Sequence, residues 1–322
     1  MPRLISQLFE SEIFIRIGDK DFQIPRDLFS SPGDSPNFFT LGFGAFFASP
    51  TEIFPGLNRH GLLRPPAIVP PSVPNRSGEV FAQLLHLLRG YPLEIKNETH
   101  RAELLRDCRY FHLRGLEQKL IPHHISFNPI RQRSEILIRL EDVRRSGVSV
   151  AQDSTPSSGW VTYSRPFIDE ETYDLILEIG DETTIVDLDT KHVRFLNSTK
   201  ARFSSLLQII TGKVNLPNLS EGSVKVSIER DTDLTVDGQA HYSEAFRQGS
   251  EEAEMAQPTA KRRRVEGSSN EGGRHIVRNG HWRLCFHPNA TGDRLEFILV
   301  AVKLDAYTEQ RSRNHTRAFL GS

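Results

Sequence analysis

Four groupings of side chains in this sequence stand at spacings where chemistry is done. Ile185-Val-Asp-Leu-Asp-Thr190 places Asp187 and Asp189 at the end of a hydrophobic run. An aspartate in that position can attack a phosphoryl group as a nucleophile, with the second carboxylate as the acid. Thr190 comes one residue earlier than that chemistry uses it, and no Gly-rich phosphate loop or clear lysine motif follows. A nucleophile without electrostatic partners does little chemistry, so the pair is expected to shape a strand end. Cys108 and His112 are spaced i, i+4, which can hold one metal from one helix face. Two ligands do not complete a site, and cysteine is among the most buried residue types, so a core cysteine beside an interface histidine is expected. His281, Cys285 and His287 fall on one face of an expected strand, opposite Trp282, Leu284 and Phe286. With no fourth ligand nearby, the expectation is an apolar face turned inward and a polar one outward. Lys261, Arg262, Arg263 and Arg264, shortly after Pro258, have the composition of a nuclear import signal or an anionic-patch binder. A solvated charge run, partly offset by Glu251, Glu252 and Glu254, fits them equally well.

No Walker loop, no Gly-x-Gly-x-x-Gly after a strand, no Gly-x-Ser-x-Gly and no His-Glu-x-x-His occurs. The chain is therefore expected not to be an enzyme, with no catalytic residue, no cofactor and no metal.

The elements that would position these residues change character along the chain. Ile13-Phe-Ile-Arg-Ile17, the turn signal Gly18-Asp-Lys-Asp21 and Phe22-Gln-Ile24 predict a hairpin. Pro25 then opens a short helix over Arg26-Asp-Leu-Phe29, ended by Ser30-Ser-Pro-Gly33. A Pro-rich segment between Ala45 and Pro74 reads as an insertion loop. Phe81, Leu84, Leu85 and Leu88 then follow a helical period, with Ser77 as N-cap and Gly90 as stop. Leu104, Leu105, Cys108 and Phe111 repeat it, with Gly115 expected to close the helix and a last short one over Leu116 to Leu120. From Trp160 strand signals dominate: Tyr173 to Ile179, Thr184 to Leu188 and Val224 to Glu229 alternate apolar and polar. Leu295 to Val302 is apolar on both faces and is expected to be central. One helix interrupts, with Ser198 as cap and Phe203, Leu206, Leu207 and Ile210 on its buried stripe.

These boundaries give three segments: a module over 1–124, a charged linker over 125–158, and a strand-rich domain over 159–322. Residues 247–274 contain no Leu, Ile or Phe and cannot bury enough surface to fold, so they are expected as a disordered insertion. The fold class is α+β. At 322 residues the chain is long enough for about two cores. Lys+Arg 40 against Asp+Glu 41 gives a net charge of -1, which favours neither nucleic acid nor anionic lipid. Two cysteines in different halves fit a reducing compartment, and no run of about 18 apolar residues occurs. A cytoplasmic protein is expected, nuclear if the basic run acts in import, with no direct membrane insertion. Its four Asn-x-Thr sequences would then never meet the glycosylating enzyme.

Four stretches of the first module carry a family resemblance: Phe22-Gln-Ile-Pro-Arg26, Ser31-Pro-Gly-Asp-Ser-Pro-Asn-Phe-Phe39, Phe81-Ala-Gln-Leu-Leu-His-Leu-Leu-Arg-Gly90 and Asp107-Cys-Arg-Tyr-Phe-His-Leu-Arg-Gly-Leu116. Over roughly residues 10–124 the module resembles the BTB/POZ domain in its potassium-channel-tetramerization form. Within that class it is most similar to the fungal family that activates plasma-membrane stress phosphatases in the general stress response. The resemblance implies a small oligomerization fold with one face for self-association and another for a partner. It departs from the class in the Pro-rich loop and in lacking the clustered Cys and His that bind interfacial zinc in some channel versions. The function implied is a non-catalytic adaptor that forms homo-oligomers and recruits a signalling enzyme, a stress-response phosphatase. A substrate receptor for a cullin ubiquitin ligase is the alternative from another class. A phosphatase in its own right, through Asp187 and Asp189, is the third.

Overall fold

The computed structural model describes residues 12–42, 72–152, 158–188, 190–214, 224–241, 274–288 and 295–308. Most of the Pro-rich segment, Asp189, Lys261 to Arg264 and all of 247–274 except Arg274 lie outside those residues. The chain divides into two compact units, Met1–Ile121 with Arg165–Asp169, and Pro122–Ser164 with Glu170–Ser322.

In the first unit the hairpin forms as its sequence predicts, from β1 (Glu12–Ile17) and β2 (Lys20–Pro25), with Ile15 opposite Phe22. A short β3 (Ser72–Val73) runs parallel to β1 on its other side. Alternation along β1 buries Ile15 and Ile17 and leaves Phe14 and Arg16 outside. A 3-10 turn, Arg26–Phe29, and α1 (Phe38–Gly42) follow. In α2 (Gly78–Leu88) the Ser77 hydroxyl accepts the amide of Val80, the cap its position predicts. Phe81, Leu84 and Leu85 of α2 are buried and Leu88 is half-buried.

α3 (Glu98–Phe111) starts a turn and a half before the first apolar periodic residue, because the Asn97 side chain accepts the amide of His100 at 2.8 Å. It ends on His112, which takes the left-handed conformation at φ 58°. Gly115, expected to close that helix, lies instead in the first turn of α4 (Arg114–Leu120). A Cβ there would stand 2.8 Å from the Pro32 carbonyl oxygen. Close approach of another chain segment, and not a turn, is what this glycine serves. The core between these elements is aromatic: Phe39 stacks on Phe111 with centroids 5.3 Å apart, and Phe81 lies 5.0 Å from both Phe22 and Phe111.

The second unit is built on β4 (His123–Asn128), β5 (Arg133–Arg139), β6 (Val148–Gln152), β7 (Gly159–Tyr163), β8 (Tyr173–Asp187), β9 (His192–Phe195), β10 (Val224–Val236), β11 (Gln239–His241), β12 (Arg274–Pro288) and β13 (Leu295–Thr308). They pair in the order β4-β5-β8-β9-β10-β13-β12-β7-β6, with β11 beside β10. β8 also pairs β12 and β7, so the path β8-β9-β10-β13-β12 returns to β8. The two runs expected as separate strands, Tyr173 to Ile179 and Thr184 to Leu188, are one strand through Asp187, bent where Asp181 and Glu182 adopt φ of 59° and 57°. β13 lies between β10 and β12, the interior place its two apolar faces predict. α5 (Asn197–Val214) begins one residue before the expected cap Ser198 and buries Phe203, Leu206 and Ile210.

Residues 125–158, expected as a charged linker, instead hold most of β4, all of β5 and all of β6. Ile136 and Ile138 of β5 are buried, and the charges that looked like solvated linker are taken up in ion pairs of the sheet. Arg274, inside the stretch expected to be disordered, begins β12. Among the described residues no helix is long and apolar enough to cross a membrane.

Candidate interaction surfaces

Among the described residues, those singled out for chemistry do not converge on one site. Asp187 ends β8, where one carboxylate oxygen accepts the amide of Thr190 at 2.9 Å and the other lies 3.9 Å from the Arg274 guanidinium. That is the turn-shaping use of a strand-end carboxylate. Cys108 is fully buried on the core side of α3, while His112 is exposed at the helix end. Burial pushes the Cys108 thiol well above its ordinary range, with the Glu117, Asp34 and Asp107 carboxylates adding to the shift. His281, Cys285 and His287 are all half-buried and alternate with buried Trp282, Leu284 and Phe286. Burial holds the His281 imidazole below its ordinary value. Among the described residues no three of His, Cys, Asp and Glu converge as metal ligands would.

Buried polar groups that the sequence did not single out serve to fix segments. In the loop before α1, Asn37 accepts the amides of Phe39 and Thr40, both at 3.0 Å, and donates to the Asp34 carbonyl at 2.7 Å. Asp34 accepts the amide of Leu116 at 3.0 Å, so one buried carboxylate fastens this loop to the start of α4. Burial raises the Asp34 carboxyl, opposed by the amides of Leu116 and Gly115 and by Lys119. In the second unit Glu135 and Arg283, both buried, form a two-point ion pair at 2.8 and 3.2 Å. Arg131 bridges Glu135 at 3.2 Å and Asp174 at 2.9 Å, and its guanidinium lies 4.1 Å from the centre of the Trp160 ring. Arg133 reaches Asp174 at 3.2 Å. A sequence signal for this network existed in the arginines that flank Glu135, but it has the composition of a solvated loop.

Apart from these paired charges, each unit carries exposed large apolar side chains. In the first unit Phe14 on β1 is 45% exposed, Leu41 on α1 68% and Tyr91 after α2 56%. In the second unit Ile125 and Phe127 stand out from β4, at 37% and 59%, with Ile130 beyond them in the turn to β5. Exposed aromatic and branched residues on rigid elements are what protein partners bury.

Two curated proteins of Saccharomyces cerevisiae are similar to the chain. One, named only as uncharacterized, is 30% identical over 272 residues, covering 70% of this chain and 53% of the relative. The other, named as a BTB/POZ domain-containing protein, is 31% identical over 160 residues, covering 49% of this chain and 32% of the relative. The chain thus spans about half the length of one curated relative and a third of the other. No protein-family profile matches the chain, and no solved structure does.

Proposed function

We propose that this chain is a non-catalytic protein-interaction adaptor, with a BTB/POZ-type first unit that self-associates and a partner surface that recruits a signalling enzyme. The observation that carries the reading is the 31% identity over 160 residues to a protein named for its BTB/POZ domain. The disposition of side chains supports it. Asp187 is engaged in a turn, Cys108 is sealed in the core, and Phe14, Leu41 and Tyr91 face outward from the first unit. The recruited enzyme is a stress-response phosphatase on the likeness of the four N-terminal sequence stretches to that activator family. A cullin is the other partner class that a BTB/POZ-type unit would take.

Light scattering on the purified full chain, combined with a Mg²⁺-dependent phosphate-release assay, tests the proposal. Adaptor function requires an assembly larger than one chain and no hydrolysis above a buffer blank. A monomer throughout the micromolar range would remove the self-association. Turnover that disappears on exchanging Asp187 and Asp189 together for Asn would replace the adaptor with an aspartyl-nucleophile phosphatase.

A further inference from the structure

We infer that the free edge of β4 is a second self-association surface, on which β4 of another copy of this chain pairs antiparallel. β4 ends the strand path, and among the described residues only β5 pairs with it. Exposed edges are ordinarily blunted with lysine, proline or inward-pointing charge. β4 reads His123-His-Ile-Ser-Phe-Asn128 and has none of these.

The core face of the sheet reaches this edge only partly covered. Ile125 pairs with Ile136, which pairs with Leu175, and both of those are buried. Ile125 and Phe127 continue that apolar face outward, where nothing among the described residues covers them fully. An added strand would extend both the ladder and the face.

The sequence selects a second copy as the occupant. With a two-fold axis through Ser126, Ile125 of each strand faces Phe127 of the other, His124 faces Asn128, and Ser126 faces Ser126. Apolar residues then meet apolar ones on the core face and polar ones meet on the other. No Lys, Arg, Asp or Glu lies within either strand, so no like charges are forced together. A shift of one residue in the pairing would set Ile125 against Ser126 and break the match. One strand per copy makes a contact smaller than the about 1,200 Å² that marks a standard interface, so the dimer is expected to be weak, micromolar or above. It is separate from the association proposed for the first unit.

Crosslinking of variants that each add one cysteine to the full chain, beside the native Cys108 and Cys285 that the parent also carries, tests the register. The axis brings the two Ser126 Cβ atoms to about 5 Å, the spacing of directly opposed residues. It leaves the two His124 residues four positions apart along the strands, about 13 Å. A short bis-maleimide should therefore give several-fold more covalent dimer with Ser126→Cys than with His124→Cys or the parent chain. Equal yields, or yields at the parent level, would overturn the inference and leave the edge to some other occupant. Sedimentation of Phe127→Lys supplies the second arm. Phe127 is exposed, so the variant should keep the parent's circular dichroism while its dimer dissociation constant rises at least tenfold. A profile identical to the parent's would overturn the inference even if the first unit still assembles.

Discussion

At Gly115 a side chain has nowhere to go, because the Pro32 carbonyl and the Asp34 carboxylate already occupy the space a methyl group would take. Gly115→Ala forces that loop away from α4 and should cost about 1–3 kcal/mol, the range for overpacked sites. An unchanged urea midpoint would show that the loop gives way freely. Glu135 tests a different kind of constraint. Glu135→Ala leaves the buried Arg283 guanidinium without its two-point partner, and losing one member of such a pair costs about 3–5 kcal/mol. Replacing both residues by Leu and Met should cost less than the sum of the single changes, so a double-mutant cycle measured by denaturation reads the coupling. His281 supplies a pH signature. Burial favours its neutral form, with Lys303 acting in the same direction and Glu178 and Asp233 opposing it. The unfolded chain therefore binds the proton more readily. Its contribution to stability is fully present above the ordinary value of 6.5 and is lost as pH falls toward the lower folded value. Denaturation midpoints of the parent should decline across that window more steeply than those of His281→Gln, and parallel slopes would assign the decline elsewhere.

At the scale of elements, α2 shows what a sequence makes legible. Its cap, its period and its stop are local, so Ser77, Phe81, Leu84 and Leu85 could be placed before any tertiary contact was known. Leu84→Ala should cost about 2–5 kcal/mol because that side chain is fully buried, and the half-buried Leu88 should cost less on the same change. Equal thermal shifts for the two would mean that the stripe does not face the core. β4, β5 and β6 were illegible for the opposite reason. Arg131, Arg133 and Glu135 have a solvated composition, and only the pairing of β5 with β8, and of β8 with β12, brings Asp174 and Arg283 to meet them. The strand-end reading of Asp187 was available from the missing phosphate loop. The carboxylates that fasten segments, Asp34 and Glu135, were not, since their partners lie 82 and 148 residues away. The C-terminus of α3 is illegible for a local reason: His112 adopts a conformation more often left to glycine, and the nearby Gly115 reads as the stop in its place.

At the scale of the whole molecule, two cores carry outward apolar residues on ordered elements while most of the buried charge is paired internally. The proposed role is that of a chain that does its work by being held to others. Affinity capture of the full chain from the cells that make it, with the bound proteins identified and quantified by mass spectrometry, tests this most directly. An adaptor of this kind should bring down one signalling enzyme, a phosphatase, in near-stoichiometric amount, and release it when Phe14, Leu41 and Tyr91 are replaced by charged residues in a chain that remains folded. A cullin in its place would keep the adaptor and change its pathway. Recovery of no protein above a tag-only control, from cells in which the chain is abundant and folded, would contradict it.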